Sequence, residues 1–219
     1  MYNIALDGTS GAGKSTVAKL LAKRLGIVYL DTGAMYRAVA IKLDRLGAGY
    51  TDEEKIGQIL DTTKLEIVIG DGAQRVILDG VDVSTAIREH HVSKLASDYS
   101  AVPVVRQKMV RIQQNIAKEQ SSILDGRDIG THVLPNAKYK FFVSASVEVR
   151  AKRRYDELKA KGQKVNLAQI QKDIADRDAK DTNREVSPLR PADDAVIIDT
   201  SNLTIDEVVE KIASYLIFD

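Results

Sequence analysis

Gly8-Thr9-Ser10-Gly11-Ala12-Gly13-Lys14-Ser15 places glycines, a lysine and a hydroxyl at the spacing G-x-x-x-x-G-K-[ST]. Glycines let backbone N–H groups close around phosphate oxygens with no Cβ in the way. A lysine at this place reaches the β- and γ-phosphates of a nucleoside triphosphate, and the hydroxyl that follows ligates Mg²⁺. Gly8, Thr9, Ser10, Gly11, Ala12, Gly13, Lys14, Ser15 and Thr16 are therefore read as a cradle for ATP·Mg²⁺, with Ser15 as the metal ligand.

Phosphoryl transfer needs positive charge around the migrating group more than acid–base help. Arginines stand in suggestive places. Arg37 follows Asp31-Thr32-Gly33-Ala34-Met35-Tyr36, and Arg127 lies in Leu124-Asp125-Gly126-Arg127-Asp128. Arg177, Asp181 and Arg184 are spaced i, i+4, i+7, so they share one face if a helix runs that far. An ion-paired, solvated helix surface fits the same spacing. Arg150, Arg153 and Arg154 also share a helical face, and a solvated charge run fits them equally. Asp125 could hold a Mg²⁺-bound water or merely fix its loop. His90, His91 and His132 have no metal-ligand spacing and receive no role.

These groups need a scaffold. Ile4-Ala5-Leu6, ending in Asp7-Gly8, reads as a buried strand before the glycine loop. Val17, Leu20, Leu21 and Leu25 recur at helical spacing after it, with Gly26 as C-cap. Ile27–Leu30 is a second strand, and strand–helix–strand suggests a parallel α/β sheet. From about Lys64 to Val83, alternating apolar residues and the turn dipeptides Asp71-Gly72 and Asp79-Gly80 predict a small antiparallel sheet inserted in that core. Pro103 opens a helix with the stripe Val105, Met109, Ile112, Ile116. Ile123-Leu124, Tyr139–Val143 and Ala195–Ile198 supply further strands. The segment Glu148–Lys164 is charged and mostly basic. Leu167, Ile170 and Ile174 mark an amphipathic helix capped by Asn166, and Thr204-Ile205-Asp206-Glu207 is a capping box opening a terminal helix.

Composition narrows the function classes. The chain has 219 residues, 44% of them hydrophobic, enough for one sizeable core with excursions. Its formal net charge is +1, without the strongly basic balance of a duplex binder. With no cysteine, thiolate metal sites and cysteine nucleophiles are excluded. No secretion signal or membrane-spanning run is expected, so the reading is cytoplasmic, with no membrane partner. No N-K-x-D segment of a GTPase occurs. Aromatics are 5% and tryptophan is absent, which leaves no stacking platform for nucleic acid. A small-molecule kinase is the class that survives.

The stretches ALDGTSGAGKST, YLDTGAMYRA, the β-rich insert ending VDVSTAIR, LDGRDIGT and DRDAKDTNREVSPL together resemble the bacterial cytidylate kinases, of the nucleoside monophosphate kinase family, from end to end. The resemblance implies a P-loop NTPase core, its central parallel sheet flanked by helices, with a small antiparallel β insert and a helical lid. It places the core at about 1–36, 101–147 and 165–219, the monophosphate-binding insert at about 37–100 and the lid at about 148–164. It implies transfer of the γ-phosphoryl of ATP to CMP or dCMP by a cytoplasmic monomer of pyrimidine metabolism. Lys14, Arg127, Arg177 and Arg184 would be catalytic. Arg37, Arg127, Arg177 and Arg184 would hold the acceptor phosphate, and Asp181 with Arg177 would approach the ribose. Ser97, Arg106 and Asp128 would read the base, with Thr32 and Tyr36 lining the pocket. Lid closure would bring Arg150, Arg153 and Arg154 onto the ATP phosphates. Thr9 stands where many of these kinases carry proline, and Thr32 where serine is common; both keep the loop and hydroxyl chemistry.

Overall fold

The computed structural model describes residues 1–70 and 73–217, without the side chains of Gly70, Ala73 and His90. The turn expected at Asp71-Gly72 lies outside the described residues. The chain runs through β1 (Asn3–Gly8), α1 (Lys14–Leu25), β2 (Val28–Asp31), α2 (Thr32–Arg45) and α3 (Glu53–Asp61). Then come β3 (Leu65–Gly70), β4 (Ala73–Leu78), β5 (Val81–Asp82), α4 (His90–Tyr99) and α5 (Pro103–Glu119). It finishes with β6 (Ser122–Gly126), β7 (Tyr139–Ser144), α6 (Val147–Ala160), α7 (Leu167–Asn183), β8 (Val196–Asp199) and α8 (Ile205–Ala213).

Ile4, Ala5 and Leu6 have no contact with solvent because β1 is the middle strand of a five-stranded sheet, order β2-β6-β1-β7-β8. All its pairings are parallel. Strand side chains alternate between faces. Ile4, Leu6 and Ile123 therefore enter the core under α1 and α8, while Ala5 and Leu124 enter the core under α2, α3 and α5. The antiparallel sheet β3-β4-β5 is separate, and its Val76 and Leu78 pack on Ala34, Ala38 and Ile41 of α2. Asp79 and Gly80, joining β4 to β5, both have positive φ (50° and 81°), as a type I′ hairpin turn requires.

Register fixes what meets at the carboxyl end of the parallel sheet. Asp31 of β2 lies beside Asp125 of β6, and Asp7 of β1 beside Gly126. The glycine loop, the Asp31–Arg37 segment and the Gly126–Asp128 segment thus leave the sheet at one edge, where open α/β folds bind ligands.

The helix marked by Leu167, Ile170 and Ile174 is α7, and Asn166 caps it by accepting from Gln169 N, yet Leu167 is 39% exposed and the buried side chain of α7 is Asp181. The reason is placement, since α7 packs along α6 and over the site rather than on the sheet. The helix also ends at Asn183, and Arg184 has extended backbone. Arg184 joins the face of Arg177 and Asp181 from beyond the helix end.

Candidate active site

Gly8 has φ of 142°, and a Cβ there would stand 1.8 Å from the Val143 carbonyl oxygen of β7. Only glycine fits, and the chain turns out of the sheet at this point. Gly13, at φ 91°, precedes α1, whose first turn has no capping side chain. Its amide groups are left for an anion. Ser10, Gly11, Gly13, Lys14, Ser15 and Thr16 line a cavity of ≈ 460 Å³. Gly8, Thr9 and Ala12 form the back of the loop, and Ala12 is part of the core under α8. Lys14 Nζ donates to the Thr9 carbonyl at 2.6 Å. Burial pushes the Lys14 ammonium down to about 7, and neighbouring Arg127 adds to the shift.

Beside the loop, Ser15 Oγ donates to Asp125 Oδ2 at 2.6 Å, and Tyr29 donates to Oδ1 at 3.1 Å. Burial, with Asp31 next to it, raises Asp125 to about 6. Thr32 Oγ1 donates to the Asp125 carbonyl at 2.7 Å. A hydroxyl and a carboxylate side by side are hard oxygen donors of the kind Mg²⁺ takes. Among the described residues no group of three or more His, Cys, Asp or Glu could hold a metal alone. A cation here would need phosphate oxygens to complete its shell.

Across the cavity stand the arginines. Arg127 Nε donates to Asp181 Oδ2 at 2.9 Å, and Arg184 lies 3.7 Å from Asp181 and 4.0 Å from Asp128. Arg106 Nη1 donates to Asp128 Oδ2 at 2.7 Å, and its guanidinium lies over the Tyr36 ring. Arg177 Nε is buried with no hydrogen-bond partner among the described residues. Burial lowers Arg177 and Arg184 to about 10, and a neighbouring arginine contributes to each shift. Four guanidiniums against two carboxylates leave positive charge unmatched in a largely buried cluster. Burial opposes the charge of Asp181, yet Arg127 and Arg177 hold its carboxyl below the usual range. Arg37 pairs with Asp31 at 3.1 Å and lines the same cavity. So do Thr32, Tyr36, Ser93 and Ser97 of α4, and Ser100 just past its end.

The bland alternatives do not describe this cluster. Arg177, Asp181 and Arg184 are not a solvated surface, and Asp128 is buried against Arg106. The basic α6 is divided. Arg150 is buried, donating to the carbonyls of Ala145 and Ser10 and pairing with Asp178 at 2.6 Å. Arg153 lines the cavity and is tied to Thr200. Arg154 is not brought in: its side chain is half-exposed and pairs with Glu157.

A family model described as cytidylate kinase matches residues 4–217. The chain belongs to the cytidylate kinase family. It is 52% identical over 210 residues to the cytidylate kinase of Caldicellulosiruptor saccharolyticus, covering 96% of this chain and 93% of that one. To the cytidylate kinase of Bacillus subtilis strain 168 it is 48% identical, covering 96% and 94%. A crystal structure of an uncharacterized protein from Eubacterium ventriosum shares the fold, with TM-score 0.53 at 12% identity over 98% of both chains. The expected class, a kinase of this family on an α/β P-loop core, therefore holds. No described helix is long and apolar enough to cross a membrane.

Several contributors escaped the sequence reading. Asp178 pairs with Arg150, and Thr200 receives Arg153. Gln74, on the inserted sheet, accepts from Asp31 N at 2.8 Å and donates back to the Asp31 carbonyl. Asp31 itself caps α2 by accepting from Ala34 N. An Asp before a helical run was a readable cap signal. The other three depend on contacts far apart in sequence.

Proposed function

We propose that the chain transfers the γ-phosphoryl of ATP to CMP or dCMP, giving ADP with CDP or dCDP. The observation that carries this reading is the unmatched guanidinium cluster facing the glycine loop across one cavity, with the buried Arg106–Asp128 pair at its far side. ATP lies on Gly8–Thr16, its terminal phosphates against Lys14. The acceptor phosphate lies among Arg37, Arg127, Arg177 and Arg184, and Asp181 with Arg177 approaches the ribose. An acceptor phosphate oxygen attacks the γ-phosphorus, the bond to the β-phosphate oxygen breaks, and ADP leaves. That oxygen is already ionised at neutral pH, so no general base is needed. The protein contributes positioning and fixed positive charge.

At the base, Asp128 accepts from the exocyclic amino group of cytosine, as carboxylates do elsewhere, while Arg106 and Ser97 donate to its acceptors. Uracil would set a carbonyl against Asp128. Thr32 and Tyr36 shape the same pocket. Ser15 and Asp125 would hold Mg²⁺, which when bound with ATP neutralises phosphate charge. The 148–164 segment closes to exclude water. Arg150 and Arg153 are held at the Ser10 carbonyl and at Thr200, and closure would bring in the half-exposed Arg154. The same reading has a cytoplasmic monomer acting on small ligands, without nucleic acid.

The test is a monophosphate panel with ATP·Mg²⁺. CMP or dCMP should turn over fastest; a clear preference for AMP or UMP would defeat the base assignment.

A further inference from the structure

Asp7 is the last side chain of β1 before the glycine loop, and it is 3% exposed. It touches neither ligand in the reading above, yet both of its oxygens are engaged. Oδ1 accepts from the Ile129 amide at 2.8 Å and Oδ2 from the Gly130 amide at 2.7 Å. Those amides open the π-helical turn Ile129–Val133, which follows Asp128 directly. An aspartate just before a helical turn ordinarily caps it with its own side chain. Asp128 makes no such bond. Its carboxylate points instead to Arg106 at 2.7 Å and Arg184 at 4.0 Å. Asp7 does the capping from another strand. The fit is close, because a Cβ on Gly130 would lie 3.3 Å from Asp7 Oδ2 and 3.3 Å from Lys140 Cδ.

We infer that Asp7 is a positioning residue: by capping the Ile129–Val133 turn it frees the Asp128 carboxylate for the acceptor base and locks the Arg127–Asp128 segment to the strand that bears the ATP loop. Asp7 thus sets acceptor selectivity without touching the acceptor. This rests on the assignment of Asp128 to base reading. Burial raises the Asp7 carboxyl only to about 6, held back by the two amide bonds, so at neutral pH it is the ionised acceptor this role needs.

Asp7→Asn keeps the shape but offers one acceptor oxygen; its NH₂ meets the second amide. Asp128 then turns back to cap its own turn. For the folded variant kcat with CMP should fall about 10- to 100-fold, as for other losses of orienting contacts. KM for CMP should rise, and the CMP-over-UMP preference should narrow by about tenfold. A residue that only stabilised the fold would lower the melting temperature and leave preference and KM unchanged, and that outcome overturns the inference. The wild-type panel separates the two claims. If wild-type enzyme prefers another acceptor, the function reading fails; if it prefers CMP and Asp7→Asn does so equally, only the Asp7 role fails. Should Asp7→Asn not fold, amide exchange in the wild-type protein decides. The Ile129 and Gly130 amides should be strongly protected, and exchange at the rate of an open loop would refute the cap.

Discussion

Lys14 sits where an ammonium is hard to keep charged, enclosed by protein and near Arg127 and Arg177, with Asp125 and Asp7 acting in the opposite sense. Its pKa of about 7 means that the loop must gain a proton to hold phosphate above neutral pH. The sign follows from linkage. The free site carries the charge below about 7, whereas a bound polyphosphate keeps it charged to higher pH. ADP affinity should therefore fall as pH rises from 7 to 9. Calorimetry in buffers of different ionisation enthalpy should detect proton uptake on binding. Lys14→Met should abolish both the uptake and the pH slope, with kcat down by several orders of magnitude; unchanged uptake in that variant would remove Lys14 as its source. Asp128 poses a different problem, because Arg106 beside it is equally buried. Asp128→Ala would strand that guanidinium at a cost of about 3–5 kcal/mol, mixing stability with recognition. Asp128→Asn is the cleaner probe, with CMP preference expected to shrink and ATP affinity to hold.

Helices and strands here derive their positions from local signals of different strength. The Thr204–Glu207 capping box is present as read, the Glu207 amide donating to Thr204 Oγ1 and the Glu207 carboxylate accepting from Thr204 N. It starts α8, whose Val208, Val209 and Ile212 fill the core under β1. Thr204→Ala should lower the melting temperature by about 2–4 °C, checked by calorimetric scan, with CMP kinetics unaltered. In α7 the periodicity of Leu167, Ile170 and Ile174 and the Asn166 cap announced the helix but not its partners: Asp178 holds Arg150 of α6, and Asp181 holds Arg127. Ion pairs between helices leave no local pattern that spacing can distinguish from surface pairs.

At the scale of the whole molecule the question is how the inserted sheet stays in register with the core. Apart from the apolar packing on α2, Gln74 clasps both backbone groups of Asp31, the residue that pairs with Arg37. Gln74→Ala removes that clasp. Each of the two neutral hydrogen bonds contributes about 1 kcal/mol, so KM for CMP should rise by up to about 30-fold while KM for ATP holds. An equal rise in both constants would show a general loss of structure instead of a loosened insert. The exposed Lys180–Asp98 pair between α7 and α4 spans a similar gap, but solvent screening makes it a minor contributor.

Read alone, the amino-acid order determined the glycine loop, the strand and helix around it, the separate β insert and the terminal capping box. Each is written in one short stretch of sequence, where steric permission and hydrogen bonding act locally. It also nominated Arg37, Arg127, Arg177 and Arg184, since their neighbourhoods carry recognisable motifs. The tertiary structure decided the pairings: Arg106 with Asp128, Arg127 with Asp181, Arg150 with Asp178, and the Asp7 cap on the Ile129 turn. It also decided that Arg154 stays outside and that Arg184 reaches the site from past a helix end. A buried charge takes whichever partner the fold brings within reach. Parallel strands far apart in sequence set that reach, and their register follows from packing the entire sheet at once.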